Sequence, residues 1–187
     1  MKKSAALLIT ILLLFTGCTN AQKYIDRAVA LRSKLLTGNG CSFVAEITAD
    51  YGDKLHVFSL KCQSDSRGDV AFTVEAPESI AGITGTISQK SGKLTFADAA
   101  LSFPLLADDQ VTPVSAPWIL LKTLLGGYIT SAGQEGELLR LTIDDSYEEE
   151  ALQVDVWLDG ENRPVQADIC YDGRRILSLS IKEFAFL

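Results

Sequence analysis

The chain has 187 residues, 47% of them hydrophobic and 22% charged, with a formal charge of −7 at pH 7. That length suits one domain large enough for a real core. The acidic balance argues against a nucleic-acid partner, which is held largely by Lys and Arg on phosphate, and against electrostatic adhesion to anionic lipid heads.

Met1-Lys2-Lys3 opens the chain, and a run from Ala5 to Phe15 follows, broken only by Thr10. This is a positive segment and an apolar segment of secretory type, too short to span a bilayer. Thr16 and Gly17 are small, and Cys18 follows at once. The arrangement resembles the lipobox of bacterial lipoproteins, with Phe15 where the family usually has leucine. The resemblance implies that residues 1–17 are a signal peptide and that Cys18 is diacylated and becomes the first residue. Two acyl chains give stable attachment where one is marginal. The alternative is an ordinary signal peptide with an incidental cysteine. Removing residues 1–17, which carry Lys2 and Lys3, leaves 170 residues and takes the charge to −9. Thr19 carries no inner-membrane retention signal of the Asp type. The expected location is therefore the extracytoplasmic face of the cell membrane, or the outer membrane where the source has one.

Residues 21–37 place Tyr24, Ala28, Leu31 and Leu35 at helical spacing, and Gly38-Asn39-Gly40 stops the helix. Asn20 is a partial N-cap signal. With no long tether, the domain should sit close to the membrane. Two alternating runs come next. Cys41, Phe43, Ala45 and Ile47 share one face, and His56, Phe58, Leu60 and Cys62 share another. Asp50-Tyr51-Gly52-Asp53 between them reads as a tight turn. With Tyr51 and Gly52 as the loop, Cys41 faces Cys62, Phe43 faces Leu60 and Ala45 faces Phe58. Side chains approach closely at such a non-hydrogen-bonded pair. The expectation is a Cys41–Cys62 disulfide, which an exported protein permits and which would contribute on the order of 3 kcal/mol. The alternative is two free buried thiols. Cys170 is left as a small strand residue.

Asp69 to Ala76 reads as a third strand, ended by Pro77. Residues 83–88 and 94–96 form a hairpin, and 99–105 a short strand. Residues 108–117 are loop-like. Trp118, Leu121, Leu125 and Tyr128 then recur at helical spacing in a segment apolar almost all round, with Lys122 its only charge. Such a helix must be buried. Residues 138–143 and 151–158 flank an acidic loop, and residues 165–171 and 174–186 flank Asp172-Gly173, a type I′ hairpin signal. The layout is helix, about six strands, apolar helix, four strands. It predicts an α+β fold: a strongly curved antiparallel sheet of about ten strands, an unclosed half-barrel, with two or three helices on its concave face.

The lipobox, the helix after it and the stretch FTVEAPESIAGI from Phe72 to Ile83 resemble the LolA-like lipoprotein-carrier superfamily, whose relatives include LolB, LppX/LprG and the lipid-sensing domain of RseB. The resemblance spans residues 18–187 in element order. It implies a half-barrel with helices as a lid and a cavity for acyl chains or other lipid. It also admits a second role, since GerS-like germination lipoproteins act by binding a cell-wall enzyme.

Chemistry has few candidates. His56 is the only histidine, and a general base needs a matched partner. No nucleophile elbow, P-loop or metalloprotease motif occurs. The remaining cysteines lack zinc spacing. Asp144, Asp145, Glu148, Glu149 and Glu150 lack the spacing of a calcium loop and read as a solvated hairpin loop or a docking point for a basic partner. The expectation is a non-enzyme with no cofactor and no metal. Its candidate cavity residues are Phe72, Val74, Ile83 and Ile87 on the sheet, and Trp118, Leu121, Leu125 and Tyr128 on the apolar helix, with Gly126-Gly127 as a hinge. These residues suit an apolar ligand and equally a packed core. Two functions follow: a membrane-anchored carrier or sensor of a lipid or acylated ligand, or a non-catalytic lipoprotein that holds an envelope or cell-wall enzyme.

Overall fold

The computed structural model describes residues 18–50, 52, 54–89, 92–96, 99–103, 106–107, 110–148 and 151–187. The expected leader, residues 1–17, lies outside them. Helix α1 (Cys18–Thr37) opens the described chain. Strands β1 (Cys41–Asp50), β2 (Leu55–Ser64), β3 (Val70–Ala76), β4 (Thr84–Ile87), β5 (Gly92–Phe96) and β6 (Ala99–Phe103) follow. A small hairpin, β7 (Leu106–Ala107) and β8 (Gln110–Val111), leads into helix α2 (Ala116–Gly126). The chain ends in β9 (Tyr128–Glu135), β10 (Leu138–Asp144), β11 (Gln153–Leu158), β12 (Pro164–Tyr171) and β13 (Arg174–Phe186).

Eleven strands form one sheet in the order β6-β5-β4-β3-β2-β1-β13-β12-β11-β10-β9. Every neighbour pair is antiparallel. Hairpins create this order, because each short turn returns the chain beside the strand it left. The one long-range pairing joins the first strand to the last. The sheet is open, with β6 and β9 at its edges, so the expected α+β half-barrel is present. The turn at Asp172 (φ 48°) and Gly173 (φ 70°) has positive φ at both central residues, as a type I′ turn requires.

Alternation decides which side is core. Cys41, Phe43, Ala45, Ile47 and Ala49 of β1 are buried, and so are Leu60 and Cys62 of β2, Val70, Phe72 and Val74 of β3, and Leu139, Leu141 and Ile143 of β10. Ala28, Leu31 and Leu35 of α1 and the apolar residues of α2 join them in one hydrophobic cluster. Gly85 of β4 is needed for this packing. A Cβ there would lie 2.4 Å from Cζ of Phe72 and 2.8 Å from the Lys93 carbonyl oxygen.

Three expectations are corrected. In the first hairpin Phe43 faces Cys62, Ala45 faces Leu60, Ile47 faces Phe58 and Asp50 faces Leu55. The strands pair as far as Asp50 and Leu55 and do not close on the pair Tyr51-Gly52, so the register moves by two and keeps each residue on its expected face. Cys41 consequently lies beside Ser64: its N–H donates to Ser64 Oγ at 2.9 Å, and its Sγ is 3.3 Å from the same oxygen. Cys41 and Cys62 are free buried thiols, not the expected disulfide. Finally, α2 stops at Gly126. Tyr128 begins β9, is 39% exposed and sits against Tyr147, with ring centroids 3.5 Å apart.

Candidate ligand site on the concave face

Helix α2 is far more apolar than α1. Eight of its eleven residues are buried, Trp118, Ile119, Leu120, Leu121 and Leu124 among them. It has no amphipathic stripe because both its sides are covered: sheet on one, α1 on the other. Its start is set by Pro117, whose missing N–H costs nothing in the first turn. Its end is set by Gly127, whose N–H donates to the Thr123 carbonyl at 2.8 Å. A Cβ at Gly127 would lie 2.7 Å from Ile143 Cγ2 and 2.8 Å from the Asp144 carbonyl oxygen. The chain passes too close to β10 there for any side chain.

Polar ties to α2 lie at its ends and rim. From α1, Arg32 donates through Nε to the Leu124 carbonyl at 2.7 Å and through Nη2 to the Gly127 carbonyl at 2.8 Å. A cation on the last carbonyls of a helix satisfies orphan acceptors and complements the helix dipole. Burial lowers the Arg32 pKa below that of free arginine. On the outer rim Lys122 Nζ lies 3.1 Å from Asp145 Oδ2 and 5.5 Å from the Trp118 ring centroid. Asp145 is itself held by the Leu152 N–H at 2.9 Å. A second arginine of α1, Arg27, bonds Asn162 Oδ1 and the Asp159 carbonyl, both at 2.7 Å. Thus α1 clasps α2 with one arginine and the β11–β12 turn with another.

Of the candidate cavity residues, Phe72, Val74, Ile87, Trp118 and Leu121 meet in the single core cluster, and Ile83 and Leu125 pack against it. Leu125 reaches the β2–β3 turn, its Cδ1 3.2 Å from where a Cβ on Gly68 would lie. Tyr128 is outside the cluster, facing the acidic loop. His56 lies on β2 opposite Ala49, exposed, its ring centroid 6.4 Å from that of Phe58. Cys170 is half-buried on β12. Cys18 is the first residue of α1. Among the described residues no cluster of His, Cys, Asp and Glu could hold a metal, and no helix is long and apolar enough to cross a membrane.

Two features of the outer face were not legible in the residues. One is a hollow of about 460 Å³ over β2–β5. The other is a hollow of about 420 Å³ over β9 and β10. Beside the second, Arg140 bonds Asp155 at 2.7 Å and lies 5.3 Å from the Trp157 ring centroid. Both hollows depend on which strands are neighbours, and alternation alone does not reveal that.

No family model and no curated protein matches this chain in sequence. Its fold is similar to that of solved structures at low identity. A LolA superfamily protein from Nitrosomonas europaea is 10% identical over 86% of this chain and 93% of its own, with a TM-score of 0.47. An uncharacterized conserved protein from Thermus thermophilus is 11% identical over 90% and 88%, with a TM-score of 0.47. The lipoprotein LppX from Mycobacterium tuberculosis is 10% identical over 90% and 96%, with a TM-score of 0.43. The chain is an open antiparallel half-barrel with a helix in its concavity.

Proposed function

We propose that this protein is a lipoprotein held through acylated Cys18 on the extracytoplasmic face of a membrane, and that it binds an acyl chain or another apolar ligand on its concave face and does no chemistry. One observation carries the reading. An almost wholly apolar helix is seated on an uncharged apolar wall, and its polar ties lie at its ends and rim. A segment held in that way can be exchanged for a ligand of the same character without breaking a buried polar network. Phe72, Val74, Ile83 and Ile87 would form the sheet side of the site. Trp118, Leu121 and Leu125 would form the face that gives way.

A second reading is favoured by a different observation. The concave side is filled by the chain's own side chains, with Ile87 0% and Leu121 1% exposed. A close-packed interior suits a module that holds an envelope or cell-wall protein and takes no ligand.

Native mass spectrometry of the full-length protein, purified from its expression membrane in detergent, separates the two. The expected result is a reproducible mass beyond the protein and its anchor, extracted by organic solvent as lipid. A spectrum with no extra mass, unchanged after incubation with phospholipid and with an acylated peptide, overturns the first reading in favour of the second.

A further inference from the structure

The hollow on the outer face of β2–β5 lies on the opposite side of the sheet from the core. The cross-strand register lines its residues into two adjacent rows. In one, Lys61 faces Thr73, Thr73 faces Thr84 and Thr84 faces Thr95. In the other, Gln63 faces Ala71, Ala71 faces Thr86 and Thr86 faces Lys93. Together they line the hollow of about 460 Å³. Ala71 makes its floor: it is the one short apolar side chain between hydroxyls, an amide and ammonium groups.

Threonine is an ordinary outward residue of a strand, so its presence alone argues nothing. What distinguishes these side chains is that they are unspent. Among the described residues, the side chains of Lys61, Gln63, Thr73, Thr86 and Lys93 make no hydrogen bond or ion pair, whereas several other charges of the sheet are engaged. Glu46 lies 3.3 Å from Lys182, Glu75 accepts a bond from the Ser59 hydroxyl at 3.3 Å, and Arg140 is bonded to Asp155. No carboxylate lines the hollow, although the chain carries 24 of them. Lys61 and Lys93 stand at opposite corners, three strand spacings and two residues apart, about 16 Å.

We propose that this surface binds an anionic, hydroxyl-rich chain: a saccharide or polyol carrying carboxylate or phosphate groups. The two ammonium groups fix negative charges at the ends of the bound segment. The hydroxyls and the Gln63 amide, each able to donate and accept, meet the polyol between them. The outward groups of this open hollow are hydroxyls, an amide and two ammonium groups, and two separated cations without an Arg fork suit point charges spaced along a polymer.

The test uses the full-length protein in phosphatidylcholine nanodiscs and four soluble probes: poly(glycerol phosphate), oligogalacturonate, glycerol 3-phosphate and a neutral dextran oligomer. Binding is read by calorimetry at low salt. The expected result is saturable binding of the anionic polymers and none of dextran. Lys61→Ala and Lys93→Ala should each weaken binding about fivefold, the scale of one exposed charge contact. Ala71→Tyr, which fills the floor, should weaken it more. Equal affinity for glycerol 3-phosphate, which is too short to reach both lysines, overturns the proposal that a chain is bound. A requirement for the polymer supports it and makes a wall polymer the source. Failure of every anionic probe, equal binding of dextran, or affinity unchanged in the lysine variants overturns the proposal. None of these outcomes depends on what occupies the concave face.

Discussion

Arg32→Gln tests whether α2 is a separately held element. The wild-type guanidinium makes two charge-assisted bonds, of 2.7 and 2.8 Å, to carbonyls at the end of α2. A bond to a charged group contributes about 1.5–3 kcal/mol, and charge at a helix C-terminus about 0.3–1 kcal/mol. Arg32 is half-buried, so solvent screens part of this. About 2–3 kcal/mol is a fair sum for the loss, and glutamine recovers at most one neutral bond. If α2 opens as a unit, that loss falls on its opening equilibrium. At 1.4 kcal/mol per factor of ten, its amides should exchange about 30–150 times faster with deuterium. The amides of β12 and β13, which open only with the whole domain, should accelerate less. The measurement is hydrogen–deuterium exchange resolved by peptide, on both proteins at the same pH. Equal acceleration in α2 and in β12 would refute the reasoning, since it would make α2 part of one indivisible core with no lid to move.

Three further outcomes follow from the same contacts. Gly126→Ala should stabilise by about 0.5–1 kcal/mol, because nothing lies within 4 Å of the added methyl and alanine favours the helix; Gly127→Ala should destabilise by about 1–3 kcal/mol through its contact with Ile143 and β10; a melting series on the two variants checks both. Leu121→Ala should cost about 2–5 kcal/mol by thermal or denaturant unfolding, since Leu121 is 1% exposed, and the resulting cavity should raise lipid uptake if α2 forms the ligand's cover. Burial pushes the Cys62 and Cys41 thiols above their ordinary pKa of 9.0, Cys62 the further, with Cys41 and Glu75 adding to its shift. A thiol that ionises less readily folded than unfolded stabilises fully below pH 9 and loses that contribution as pH rises past it. Melting temperature should therefore fall between pH 8.5 and 10.5, and a Cys41→Ala, Cys62→Ala variant should lose part of that fall.

The architecture was readable because it rests on period. Cys41, Phe43, Ala45 and Ile47 alternate in the residues and alternate in the sheet, and Asp172-Gly173 allows only one kind of turn. Register was not readable to the same degree. A shift of two residues keeps every side chain on its face, so pairing Cys41 with Cys62 and pairing it with Ser64 satisfy the same alternation. The turn decides between them, and here it is two residues longer than its Gly52 suggested. Tyr128 was misplaced for a related reason. It continues the helical spacing of Trp118, Leu121 and Leu125, but the demand of β10 for a bare backbone at Gly127 ends the helix first. The hydroxyl surface on β2–β5 was invisible because each threonine is unremarkable in its own strand. Only the register makes them neighbours.

The energetics of α2 also constrain how the concave face could accept a ligand. Trp118, Ile119, Leu120, Leu121 and Leu124 are each at most 8% exposed. Exposing five such side chains to water costs about 8–15 kcal/mol, as much as the whole stability of a typical domain. A sixteen-carbon acyl chain contributes about 13 kcal/mol on burial. That can re-cover the sheet wall, but it leaves the face of α2 bare. The exchange therefore works only if α2 finds a second apolar surface as the ligand enters. With Cys18 anchored as proposed, the membrane would be close: Arg32 lies fourteen residues along α1 from Cys18, about 21 Å at helical rise. The two tryptophans make this measurable. Trp157→Phe leaves Trp118, on α2, as the sole tryptophan. In nanodiscs containing brominated phosphatidylcholine its fluorescence should be unquenched in the ligand-free protein and quenched when an acylated ligand is added. Fluorescence that stays unquenched while the ligand binds would exclude the bilayer as the receiving surface and require α2 to slide within the concavity.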